Sequence, residues 1–95
     1  MAIKYFVEFK IDRITTGSLE PISDINRAYH FAEILDSNPG YKQIFKDIFI
    51  VAKRGESEAR INIEAVRRER MLTIGKDEVK ILEDMITREL GAVTS

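Results

Sequence analysis

The 95-residue chain contains no cysteine. That excludes disulfides, thiolate metal sites and a cysteine nucleophile. It contains one histidine, His30, which helical spacing sets beside Asn26 and Arg27, away from the apolar positions. With no second histidine and no cysteine to join it, His30 reads as a solvated side chain rather than a ligand or a general base. No apolar run approaches the roughly 20 residues of a membrane span. The opening MAIKYFVEFK interrupts its apolar residues with charges, unlike a signal peptide. A cytoplasmic protein with no membrane partner is the expectation. No G-x-S-x-G, Walker loop, G-x-G-x-x-G or H-E-x-x-H is present, so no familiar catalytic motif suggests a chemistry. Glu83 and Asp84 fall on the polar side of a helix and read as solubilising charge, not an acid/base pair. We therefore expect no enzyme, no cofactor and no metal. Glutamine occurs once, at Gln43, while isoleucine is abundant. That bias is shared by thermophile proteins and AT-rich viral genomes, and points to a viral or archaeal origin.

What is present fits one α+β domain, residues 1–95. The chain is 44% apolar and 33% charged, the balance of a globular protein. At this size the stability margin is thin, and a partner subunit would widen it. The net charge is −1, so the molecule as a whole nominates neither nucleic acid nor membrane. The charge is nevertheless uneven: residues 1–40 balance at −2, residues 41–70 at +3, and residues 71–95 at −2.

Residues 2–14 alternate, with Ile3, Tyr5, Val7, Phe9 and Ile11 on one side and Lys4, Glu8, Lys10 and Asp12 on the other. This is the period of a strand with one buried and one wet face, which favours an antiparallel sheet. Phe6 is the exception. Arg13 to Ile22 reads as a loop broken by Gly17-Ser18 and Pro21, anchored by Leu19 and Ile22. Ser23 to Asp36 reads as a helix capped by Ser23, with Ile25, Ala28, Ala32 and Leu35 inward, stopped by Asn38-Pro39-Gly40. Tyr41 to Lys46 reads as a turn.

Asp47 to Lys53 is β-branched and aromatic, hence a strand. Arg54-Gly55-Glu56-Ser57 is the hairpin turn after it. Glu58 to Val66 continues the sheet, Arg67 to Arg70 makes a tight turn, and Met71 to Ile74 forms a short last strand. A helix competes for this stretch, because EAVRRERML has high helix propensity and Ala59, Ile63 and Val66 also fit helical spacing. The final helix starts at Gly75, with an Ile74–Val79 staple. It buries Val79, Leu82, Ile86 and Leu90 against Val7, Phe9, Ile61 and Ile63, and stops at Gly91, leaving 91–95 as a frayed tail. The expected architecture is two-layered, in the order β-α-β-β-β-α, with two helices on one face of an antiparallel or mixed sheet.

Two surfaces are candidate sites. Lys53, Arg54, Arg60, Arg67, Arg68 and Arg70 fall on or beside one hairpin, and a row of cations of this kind could follow phosphates. The competing view is that Glu56, Glu58, Glu64 and Glu69 neutralise it. Phe6, Phe49 and Val51 have the wrong parity for the core and would form an apolar patch, the usual mark of an interface. The passage from a β-meander into a helix through MLTIGKDEVKIL resembles, in topology, the single-stranded nucleic-acid-binding domains of the coactivator and Whirly type. That resemblance implies single-stranded nucleic acid as a partner. The leading expectation is a non-enzymatic interaction or regulatory module, cellular or viral, acting as a homodimer through Phe6, Phe49 and Val51. A single-stranded nucleic-acid binder using the basic hairpin is the alternative, and a small enzyme is third.

Overall fold

Apolar residues of two periods meet in one core. The computed structural model describes residues 3–11, 16–18 and 20–94. Their order is β1 (Lys4–Lys10), β2 (Thr16–Ser18), α1 (Ile25–Ser37), α2 (Pro39–Ile44), β3 (Lys46–Arg54), β4 (Ser57–Asn62), α3 (Ile63–Leu72) and α4 (Glu78–Thr94). The class is α+β, built on an antiparallel sheet in which three longer strands are joined by the three-residue β2 at the edge. The strand order is β2-β1-β3-β4.

Alternation along the strands decides what the core receives. Val7 lies opposite Ile50, which lies opposite Ile61, and Tyr5, Ala52 and Ala59 form the next row. These side chains share one cluster with Ala28, Tyr29 and Ala32 of α1, Ile63 and Val66 of α3, and Ile81, Leu82, Ile86 and Leu90 of α4. The expected burial of Leu82 and Ile86 with Val7, Phe9, Ile61 and Ile63 is found, whereas Val79 is only partly buried.

Two glycine positions need the missing side chain. Gly55 takes φ 62° in the β3–β4 turn, a conformation that costs glycine little. Gly17 packs under the Phe9 ring, where an added Cβ would come within 2.6 Å of Cε2. The register of β1 on β3 shifts between Glu8 and Lys10, and Asp47 adopts φ 49° there. A local change of this kind is what a bulge produces.

The structure departs from the sequence reading at several places, and the strand β2 at 16–18 stands where only a loop was expected. The cap of α1 is Asp24 rather than Ser23, its carboxylate accepting from the Asn26 N–H at 2.9 Å. Asn38-Pro39-Gly40 ends α1 but also starts α2. The Asn38 side chain accepts from the Gly40 and Tyr41 N–H groups, and proline suits the first helical position. The largest difference is α3. Residues 63–72 form a helix where a strand, a turn and a further strand were expected. Asn62 caps it by accepting from the Glu64 N–H at 2.8 Å, which satisfies a donor of the first turn. Glu64 and Arg70 complement the helix dipole, and Ile63 and Val66 fill the core at i,i+3. The meander into a helix on which the topological resemblance rested is therefore not formed. Finally, Asp77 rather than Gly75 caps α4, accepting from the Lys80 N–H at 2.8 Å. The helix also runs past the expected stop at Gly91 to Thr94, since the left-handed glycines among the described residues are Gly55 and Gly75. Of the expected loop anchors, Ile22 bridges to Tyr5 with paired 2.8 Å backbone hydrogen bonds, and Leu19 lies outside the described residues.

Candidate functional site

The titratable side chains of the interior are tied into the framework. Tyr29 projects from α1 into the core and donates to Glu78 Oε2 of α4 at 2.6 Å. Its phenol is pushed well above the ordinary tyrosine value, first by burial and then by this hydrogen bond. Both disfavour the phenolate. His30 is exposed on α1, as its spacing implied. Among the described residues no group of three or more acidic, histidine or cysteine side chains could hold a metal ion. Nor is any helix there long and apolar enough to cross a membrane.

The six basic residues expected on one hairpin divide into two sets, because α3 is a helix and leaves the sheet. Lys53, Arg54 and Arg60 stay on β3 and β4. Arg67 turns back to α1, where it donates to the Asp36 carboxylate and, at 3.1 Å, to the Ser37 hydroxyl. Arg70 lies 4.0 Å from Glu78, and Arg68 is exposed. Arg67, Arg68 and Arg70 thus do not extend a row from Arg60.

Phe6, Phe49 and Val51 do come together. Val51 lies directly opposite Phe6 on one side and Arg60 on the other, and Glu8 lies opposite Phe49. All three apolar residues point away from the core cluster, yet Val51 is wholly buried and the two phenylalanines are half-buried. A cation stands over each of the two rings. The Lys53 ammonium sits 4.9 Å from the Phe6 ring centre, and the Arg60 guanidinium 5.2 Å from that of Phe49. Arg60 then reaches across β3 to Glu8 on β1 at 2.7 Å, with Glu58 at 3.7 Å.

The uncovered apolar surface lies elsewhere. Met71, Leu72 and Ile74, where α3 ends, are 86%, 78% and 100% exposed. The expected Ile74–Val79 staple is accordingly not made. A second set, Phe31 and Ile34 of α1 with Tyr41 and Ile44 of α2, is less exposed. Beside it, two open hollows of about 480 Å³ each flank Arg27 and Phe31, one reaching Pro21 and Ser23, the other Asn26 and His30. A signal for the first set was present: once 63–72 is written as a helix, Met71 and Leu72 fall off the stripe of Ile63 and Val66. The strand reading hid it. For a chain of this geometry, no family model, curated protein or solved structure gives a match.

Proposed function

We propose that the protein is a non-enzymatic interaction module of the cytoplasm, cellular accessory or viral, that works as a homodimer. In this reading α1 and α4 cover one face of the sheet, and the contact between copies is made by the end of α3, not by Phe6, Phe49 and Val51. The observation that carries it is the near-complete exposure of Met71, Leu72 and Ile74, close together along the chain. Apolar patches beyond a few hundred Å² are uncommon on monomers and usually meet a partner. Arg68, Glu69, Arg70 and Lys76 flank these residues in the chain with both signs of charge. A mixed rim fits a protein better than a polyanion, and a two-fold contact requires a patch complementary to itself.

Sedimentation at micromolar concentration tests this. Wild type is expected to be a dimer and Leu72→Glu a folded monomer, less stable than wild type only by what dimerisation contributes, because the side chain is exposed within one chain. A wild-type monomer overturns the reading. A dimer that survives Leu72→Glu but not Phe49→Glu returns the interface to the sheet.

A further inference from the structure

The outward face of the sheet carries a feature that neither packing nor dimerisation explains. Lys4 of β1 lies directly opposite Lys53 of β3, and Lys10 directly opposite Lys46. Like charges facing each other across strands destabilise a sheet. Here the arrangement occurs twice on one strand pair, with all four lysines exposed. Lys10 has a distant carboxylate neighbour, Asp47, at 3.9 Å. Lys53 faces Glu58 of β4 on its other side, but Glu58 and the central Glu8 are both reached by Arg60, at 3.7 and 2.7 Å. The lysine pairs stand at the two ends of β1, roughly 20 Å apart at the rise of a strand. Between them are the half-buried rings of Phe6 and Phe49.

We propose that this face, through Lys4, Phe6, Lys10, Phe49 and Lys53, binds single-stranded nucleic acid. The lysine pairs supply cations at both ends of a track for a phosphate backbone, and an anion between two facing lysines removes their repulsion. The rings supply stacking surfaces for bases, which are sequence-tolerant because every base has a π-face. A duplex keeps its bases stacked on one another and cannot use the rings, so an unpaired strand is the fitting ligand. Lys53 rests over Phe6 and Arg60 over Phe49 in the free protein. The flexible Lys53 stem lets its ammonium swing to a phosphate as a base takes its place on Phe6, and Arg60 must likewise leave the Phe49 ring for a base to stack there. The site differs from a basic hairpin extended to Arg67, Arg68 and Arg70, because it lies wholly on strands and includes Lys4 and Lys10 of β1.

Fluorescence anisotropy with labelled homopolymeric oligonucleotides of about 16 nucleotides, the upper end of known single-strand site sizes, tests the proposal. Single strands are expected to bind at low salt, with a log–log salt slope of roughly −2 to −3 for three or four phosphate contacts. The matching duplex should bind at least tenfold more weakly. Lys4→Glu is expected to weaken binding severalfold while raising the melting temperature, since it replaces a repulsive pair with an attractive one. That rise also shows the variant to be folded. Phe49→Leu should lose roughly tenfold in affinity through the missing stack. The proposal is overturned by no binding at low salt, by equal binding of the duplex, or by unchanged affinity in both variants. Binding lost only when Arg67, Arg68 and Arg70 are changed to Glu overturns it as well, by moving the site to α3.

Discussion

The two faces of the sheet use the same strands and residues one step apart, yet are covered by different means. The inner face, with Val7, Ile50 and Ile61, is closed by side chains from α1, α3 and α4. On the outer face Val51 is as fully buried as Val7, with an arginine rather than a helix beside it. A long cationic side chain can lay its alkyl stem over apolar neighbours while its charged head stays wet. Arg60 adds a contact with the Phe49 ring and an ion pair with Glu8. The lesson is that wrong parity in a strand does not by itself make an interface. It makes one only when no neighbour on the adjacent strands is long enough to cover it.

The contrast can be broken first at the inner face. Leu82 is completely buried in the shared cluster. Leu82→Ala should cost about 2–5 kcal/mol, because the rigid surroundings fill the cavity only in part. For a chain of this size that lowers the melting temperature by roughly 10 °C or more. An unchanged melting temperature would mean that α4 does not present this face to the sheet.

A smaller effect is expected at the edge of the same core. Tyr29→Phe removes the hydrogen bond to Glu78 and should cost about 1 kcal/mol near neutral pH. The sign of its pH dependence is fixed by the raised phenol. The folded protein holds the tyrosine proton above its ordinary value, while the unfolded chain releases it near pH 10. Stability is therefore fully present below about pH 10 and declines as the pH rises beyond it. Tyr5 is raised for the same first reason, burial, and adds to the decline. Alkaline titration followed by circular dichroism should show a shallower loss in Tyr29→Phe than in wild type. Identical slopes would show that the tyrosine at position 29 contributes nothing to it.

The smallest effect belongs to the outer face. Arg60 is about half exposed and Glu8 largely covered, so solvent screens much of their attraction. A double-mutant cycle between Arg60→Ala and Glu8→Ala should give a coupling of about 1 kcal/mol or less, weakening with salt. A coupling several times larger and insensitive to salt would make the outer face a second core and end the distinction.

Those elements with a single strong period were legible. β1, β3, the Gly55 turn, α1 and α4 lie within a few residues of their expected places, and so do Leu82 and Ile86. The errors gather where two local preferences compete. INIEAVRRER carries β-branched residues suited to a strand and a capping asparagine followed by helix formers. Asn38-Pro39-Gly40 can stop one helix or start the next. The candidate basic row failed with the strand it depended on: Arg67 needed a partner, and Asp36, 31 positions away, became one only after α1 and α3 were placed. Phe6, Phe49 and Val51 were brought together as their parity required, but alternation says nothing of what lies above a face.

By itself, then, the sequence determined the α+β class, the antiparallel hairpin, the inward stripe of α4 and the absence of thiol chemistry. These follow from periodicity and composition, which are properties of neighbouring residues. Only the tertiary structure decided that residues 63–72 coil, that lysines face lysines across β1 and β3, that Arg60 closes over Phe49, and that Met71, Leu72 and Ile74 stand uncovered. Each depends on which distant segments are neighbours, and burial and Coulomb energies act through space rather than along the chain.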